Sequence, residues 1–99
     1  MLVHTVYFYL NPEISESEKA QFIEQVKTLE DIETVEAFYV GTPADTPDRP
    51  VIRTDYSVAI TVVLDDIEGQ VIYQEHPIHK DFITNNSHLW TDVVIYDAD

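Results

Sequence analysis

With 99 residues, 44% of them apolar, the chain is long enough for one domain with its own core and too apolar for a disordered acidic tail. Nineteen acidic residues against five Lys and Arg give a formal net charge of −14. That balance repels phosphate backbones and anionic membranes, which argues against nucleic-acid or membrane partners, and the lack of cysteine excludes disulfides, thiolate nucleophiles and Cys-type zinc sites.

No apolar run approaches the roughly 18 residues of a membrane span. The start, Met1-Leu2-Val3-His4-Thr5, lacks the basic region and cleavage site of a signal peptide. The expectation is a soluble, cytoplasmic protein. Its acidity reads as surface solubility of the kind a salt-rich habitat favours, and no Asp-x-Asp-x-Asp-Gly loop points to calcium.

Leu2 to Leu10 alternates as a strand, with Leu2, His4, Val6, Phe8 and Leu10 on one face and Val3, Thr5, Tyr7 and Tyr9 on the other. Asn11-Pro12 ends it. Ser15-Glu16-Ser17-Glu18 has capping-box spacing, and the helix that follows carries Ala20, Phe22, Ile23, Val26 and Leu29 as its apolar stripe, ending near Leu29 to Asp31. Val35 to Val40 is a second strand. Thr42 to Arg53, with three prolines, is a loop. Thr54 to Leu64 is the longest strand, presenting Tyr56, Val58, Ile60, Val62 and Leu64 on one side and Asp55, Ser57, Ala59, Thr61 and Val63 on the other.

Asp65-Asp66 caps a second helix that runs to about Glu75, with Ile67, Val71 and Ile72 as its buried stripe and Gly69 weakening it. Pro77 disfavours helical geometry at His76 and suits the first turn of a new, short helix carrying His79 and Phe82. Asn85-Asn86-Ser87 ends that helix, and Trp90 to Tyr96 is the last strand. There is no internal repeat.

The order is β-α-β-β-α-β. Two helices cover one face of a four-stranded antiparallel sheet, yet the other face, with Val3, Tyr7, Ala59, Thr61 and Val63, is not polar enough to sit in water. Burying it is worth about 25 cal/mol per Å² of apolar area. The simplest partner is a second copy across a two-fold axis, so a homodimer with face-to-face sheets is expected.

The segment Tyr73-Gln74-Glu75-His76-Pro77-Ile78-His79 places three proton-handling groups within seven positions. In an acid–base site, a neutral His removes a proton beside a carbonyl and a Tyr hydroxyl stabilises the enolate. In a structural corner, the same residues cap and pack. His4 points to the helix side of the sheet. His88, in a loop, reads as surface. His76 and His79 could offer two metal ligands, but the proline breaks helical pair geometry and no carboxylate–His motif completes the set, so no metal is expected. Gly41 and Gly69 are the only glycines, so there is no Gly-rich phosphate loop and no cofactor is expected.

Four features together resemble the stress-responsive dimeric A/B barrel (Dabb) family: Val3-His4-Thr5-Val6, Asp55-Tyr56-Ser57, the Tyr73-x-x-His76-Pro77-x-His79 corner with Phe82, and Trp90 opening the last strand. They span essentially the whole chain. The resemblance implies an α+β, ferredoxin-like fold, one domain over residues 1–99, and a dimer with a central barrel. By match of motif with a polyketide-cyclising member, the proton transfers fall on His79 and Tyr73. His4, His76, Val26, Phe82 and Trp90 fall around the pocket, and Ile83 stands where that member has a glycine. Two functions follow. The protein is a stress-associated homodimer with a small apolar pocket that holds a small hydrophobic ligand, or it is a cofactor-independent cyclase or isomerase acting on a small hydrophobic carbonyl or polyketide-like compound.

Overall fold

The computed structural model describes residues 1–99. Its elements are β1 (Leu2–Leu10), α1 (Glu16–Val26), β2 (Val35–Gly41), β3 (Val58–Leu64), α2 (Ile67–Glu75), α3 (Pro77–Asn86) and β4 (Trp90–Ala98), with 3-10 turns at Lys27–Asp31 and Ser87–Leu89. The strands form one sheet in the order β2-β3-β1-β4, and every neighbouring pair is antiparallel. This is the α+β, ferredoxin-like arrangement expected from the sequence, with the second helical segment split in two.

Alternation decides the layers. On β1, Leu2, His4, Val6, Phe8 and Leu10 are buried, and the residues between them are half-exposed. On β3, Val58, Ile60, Val62 and Leu64 are buried while Ala59, Thr61 and Val63 are half-exposed. The buried face meets Phe22 and Val26 of α1, Leu29, Ile32, Tyr73 of α2 and Phe82 of α3 in a single core. The other face of the sheet is uncovered, and Tyr7 packs there against Tyr56 and Tyr96 with ring centroids 5.1 and 6.4 Å away.

Each helix starts on a side-chain cap. In α1, Glu18 N–H donates to the Ser15 hydroxyl and Ser15 N–H donates to the Glu18 carboxylate, so two free donors are satisfied reciprocally. In α2, Gly69 N–H donates to Asp66 at 2.8 Å. In α3, Pro77 occupies the first turn and Ile78 N–H donates to the His76 ring at 3.1 Å. The backbone enters the left-handed region at no residue, glycines included.

Four expectations are corrected. The apolar residues Ile67, Val71 and Ile72 of α2 are exposed, and Gly69 and Tyr73 are its buried positions instead. A Cβ on Gly69 would lie 3.7 Å from Thr34 Cβ and 4.0 Å from Leu64 Cβ, so the glycine is where this helix comes down on its neighbours. Ala20 is exposed as well, one position off the stripe of α1. The third strand begins at Val58 rather than Thr54, because the Ser57 hydroxyl accepts from Leu10 N–H at 2.9 Å and replaces the next backbone rung. The last strand runs two residues past Tyr96 to Ala98, and its pairing with β1 reaches the Val3–Ala98 rung.

Candidate functional site

The break between α2 and α3 fixes the site. His76 has extended backbone geometry (φ −63°, ψ 140°) because the residue before a proline avoids the helical region. The chain changes direction there, and Tyr73 near the end of α2 and His79 near the start of α3 come face to edge, with ring centroids 5.0 Å apart at 66°. Below them is a cavity of about 110 Å³ between the helices and the sheet. His4 forms part of its floor, and Phe82, Ile83 and Trp90 form part of its wall.

Of the residues singled out by sequence, His4, Tyr73, His79, Phe82 and Trp90 meet at this cavity. His76 and Val26 do not, which corrects their placement around the pocket. The His76 ring turns back on its own helix. Its Nδ1 accepts from Ile78 N–H, and its Nε2 lies 3.1 Å from the Glu33 carboxylate. Val26 is fully buried in the core, and Leu29, one turn later, faces the cavity in its place. Trp90 is held by stacking, 5.2 Å from Phe8 and 6.0 Å from Phe82 between centroids.

The electrostatics separate the two central groups. Burial pushes the Tyr73 hydroxyl well above its usual titration range, so it stays protonated as a donor. Burial, with the nearby charge of His4 second, holds His79 below its ordinary value, so its imidazole is neutral at neutral pH and its free nitrogen can accept a proton.

His4 is only 2% exposed, yet it is polar and carries a partner. Its Nδ1 lies 2.6 Å from Asp97 Oδ1, and the two residues are direct cross-strand partners on β1 and β4. The Gln70 amide nitrogen approaches the same ring nitrogen at 3.4 Å. The carboxylate contact is much the shorter and carries the stronger acceptor, so Nδ1–H donates to Asp97. Ring centroids of His4 and Tyr73 are 5.7 Å apart, which puts Tyr73 between two imidazoles. Asp97 was missed by sequence reasoning. The signal available was strand register: continuing the last strand one residue would have set it opposite His4.

No three His or carboxylate side chains converge in a metal-holding geometry, and no helix is long and apolar enough to cross a membrane. Larger hollows lie elsewhere, and the two largest differ in character. One, of about 400 Å³, is on the uncovered sheet face and is lined by Tyr7, Tyr9, Tyr56 and Tyr96. The other, of about 260 Å³, is lined by amides of α1 and α3, Gln21 and Gln25 facing Asn85 and Asn86. Only the smaller cavity sets two histidines and a tyrosine together against an apolar wall, so it is the better chemical candidate.

The family model for the stress responsive A/B barrel domain matches residues 2–99. Among curated protein sequences none matches. Solved structures give the fold. The Arabidopsis thaliana protein At3g17210 is 19% identical, with 100% of this chain and 94% of that one covered and a TM-score of 0.84. A dimeric ferredoxin-like protein of unknown function from Thermobifida fusca is 21% identical over 98% and 88% of the two chains, with a TM-score of 0.79. A hydroxynitrile lyase from Passiflora edulis is 16% identical over 98% and 90%, with a TM-score of 0.80.

Proposed function

Since the chain belongs to the stress responsive A/B barrel domain family, we propose that it is a dimeric barrel protein whose helix-side cavity binds a small apolar carbonyl compound and moves its proton through His79 and Tyr73 without a cofactor. The observation that carries this reading is the contact between a neutral His79 and a protonated Tyr73 at the rim of an apolar cavity. His79 takes the proton from the carbon beside the carbonyl. The electrons of that C–H bond move into the enolate, and the Tyr73 O–H donates to the enolate oxygen. Returning the proton to carbon completes the exchange or an isomerisation.

Size limits the ligand. An apolar cavity of about 150 Å³ takes benzene, so about 110 Å³ suits a compound of about four or five heavy atoms. A polyketide chain does not fit, in keeping with Ile83 at the wall. The net charge of −14 weighs against an anionic ligand. A hydroxynitrile lyase on the same fold is a precedent for small-molecule lyase chemistry on this scaffold.

The dimer is supported by the half-buried, tyrosine-rich sheet face and by a structural relative described as dimeric. Pairing two such faces closes a barrel and removes the apolar surface from water.

The test is α-proton exchange of butanone in D2O, followed by proton NMR. Acceleration of about tenfold or more over buffer, lost in His79→Gln, is expected. No acceleration, with or without butanone-induced shifts at His79, sinks the catalytic reading. The small, well-walled cavity favours binding without turnover as the second reading, and shifts at His79 without exchange would establish it.

A further inference from the structure

Two imidazoles face one small cavity, and only one of them has a counter-ion. His79 meets Tyr73 and feels the charge of His4. His4, deeper and almost fully buried, holds Asp97 at 2.6 Å. Three residues of two elements surround the His4 ring: Asp97 from β4 and Gln70 and Tyr73 from α2, with His79 of α3 beyond Tyr73. Asp97 is the only carboxylate among them. Its side chain is 46% exposed, so it reaches His4 from the rim of the sheet while keeping contact with water.

We propose that Asp97 is the positioning residue that makes His4 the cavity's second proton carrier: its carboxylate holds Nδ1–H, which leaves Nε2 for the cavity, and neutralises the imidazolium that forms there. This division of labour rests on the acid–base reading above. His79 removes the proton from carbon. His4, charged and paired, supplies a proton to the intermediate from Nε2 and is left neutral with its Nδ1 proton in place. The proton on His79 then returns to solvent, and His4 takes up a fresh proton from solvent at its vacant Nε2 while Asp97 holds Nδ1–H, so protons balance over a cycle. Two unpaired imidazoliums at one buried cavity would repel each other and neither would be well solvated. The carboxylate resolves this by stabilising charge on one ring only.

The tautomer also follows from the pairing. A carboxylate only accepts, so the proton must sit on Nδ1. An amide in the same place can instead turn its NH2 toward the ring and leave the neutral ring's single proton on Nε2, and it has no charge to balance the imidazolium from which His4 donates.

The experiment is nitrogen NMR of the ring nitrogens in 15N-labelled protein, titrated from acid to alkaline pH, together with the butanone exchange rate. In the wild type, Nδ1 of His4 keeps its proton when Nε2 loses its own. Asp97→Asn moves the proton to Nε2 and slows exchange about tenfold or more with an unchanged melting temperature, and Asp97→Glu restores the Nδ1 proton and most of the rate. A neutral wild-type His4 whose single proton sits on Nε2, or an Asn variant with an unchanged tautomer, overturns the proposal. So does a switched tautomer at an undiminished exchange rate. If the wild type shows the stated tautomer but no exchange at all, the acid–base reading of the cavity and His4's carrier role fall together, and only the pairing of Asp97 with Nδ1 stands.

Discussion

Tyr73 meets His79 across a helix break, edge to face at 5.0 Å, although six residues apart on one regular helix they would point to different sides. Pro77 makes the meeting possible by ending α2 at Glu75 and restarting the helix in a new direction. The contact therefore depends on the corner that Pro77 sets.

Tyr73→Phe keeps the ring in place and removes only the hydroxyl. The side chain is 1% exposed and packs by its ring against His4 and His79. Thermal unfolding is expected to change little, by less than about 1 kcal/mol. Butanone exchange is expected to fall by about tenfold or more, toward the buffer rate. Loss of folding without a separate rate effect would make Tyr73 a packing residue.

His79 imposes a pH dependence on stability. Its folded titration lies below the ordinary value of 6.5, so between the two values the unfolded chain binds more protons. Stability is then full above about pH 6.5 and falls as the pH drops toward the depressed folded value. His79→Gln removes this contribution. Denaturant midpoints measured from pH 8 to pH 5 should fall less steeply in the variant than in the wild type, and parallel curves would refute the assignment.

His76→Ala removes the cap of α3 and is expected to cost about 1 kcal/mol in urea unfolding. The Glu33 contact adds little, since that carboxylate is 70% exposed. His76→Asn, which can cap, should recover most of the loss. Butanone exchange per folded molecule should be unchanged in both, which separates this histidine from His79 and His4.

Thr61 lies mid-sheet on the uncovered face, opposite Thr5 and Tyr39. Wild-type protein is expected to sediment as a dimer at micromolar concentration. Thr61→Glu would bury an unpaired charge against its own copy, at about 3 kcal/mol or more, and raise the dissociation constant at least about a hundredfold. A wild-type monomer would remove the closed barrel altogether.

Much of the fold was legible because the strands alternate cleanly: His4, Val6 and Phe8 on β1, with Val58, Ile60 and Val62 on β3, are set by a period of two. The corner was legible from Pro77. What periodicity could not find was α2's true contact edge. The helix descends on Gly69, a residue with no side chain to count, while its isoleucines and valine stay outside. Leu29 rather than Val26 faces the cavity because α1 tightens into a 3-10 turn after Val26 and rotates the next residues. Asp97 was hard to read for a different reason. Its meaning comes from the residue across the sheet, 93 positions away in the chain.

A backbone with no left-handed residue reserves no position for glycine on conformational grounds. Loops and caps here are built from ordinary geometry, so most positions can change side chain without straining the main chain. Only the alternation on β1 and β3, the descent at Gly69 and the break at Pro77 constrain the sequence strongly. Such a scaffold can drift far in sequence and keep its shape, and its cavity can be resized by a single wall residue such as Ile83. Evolution can thus vary the ligand while leaving the architecture alone.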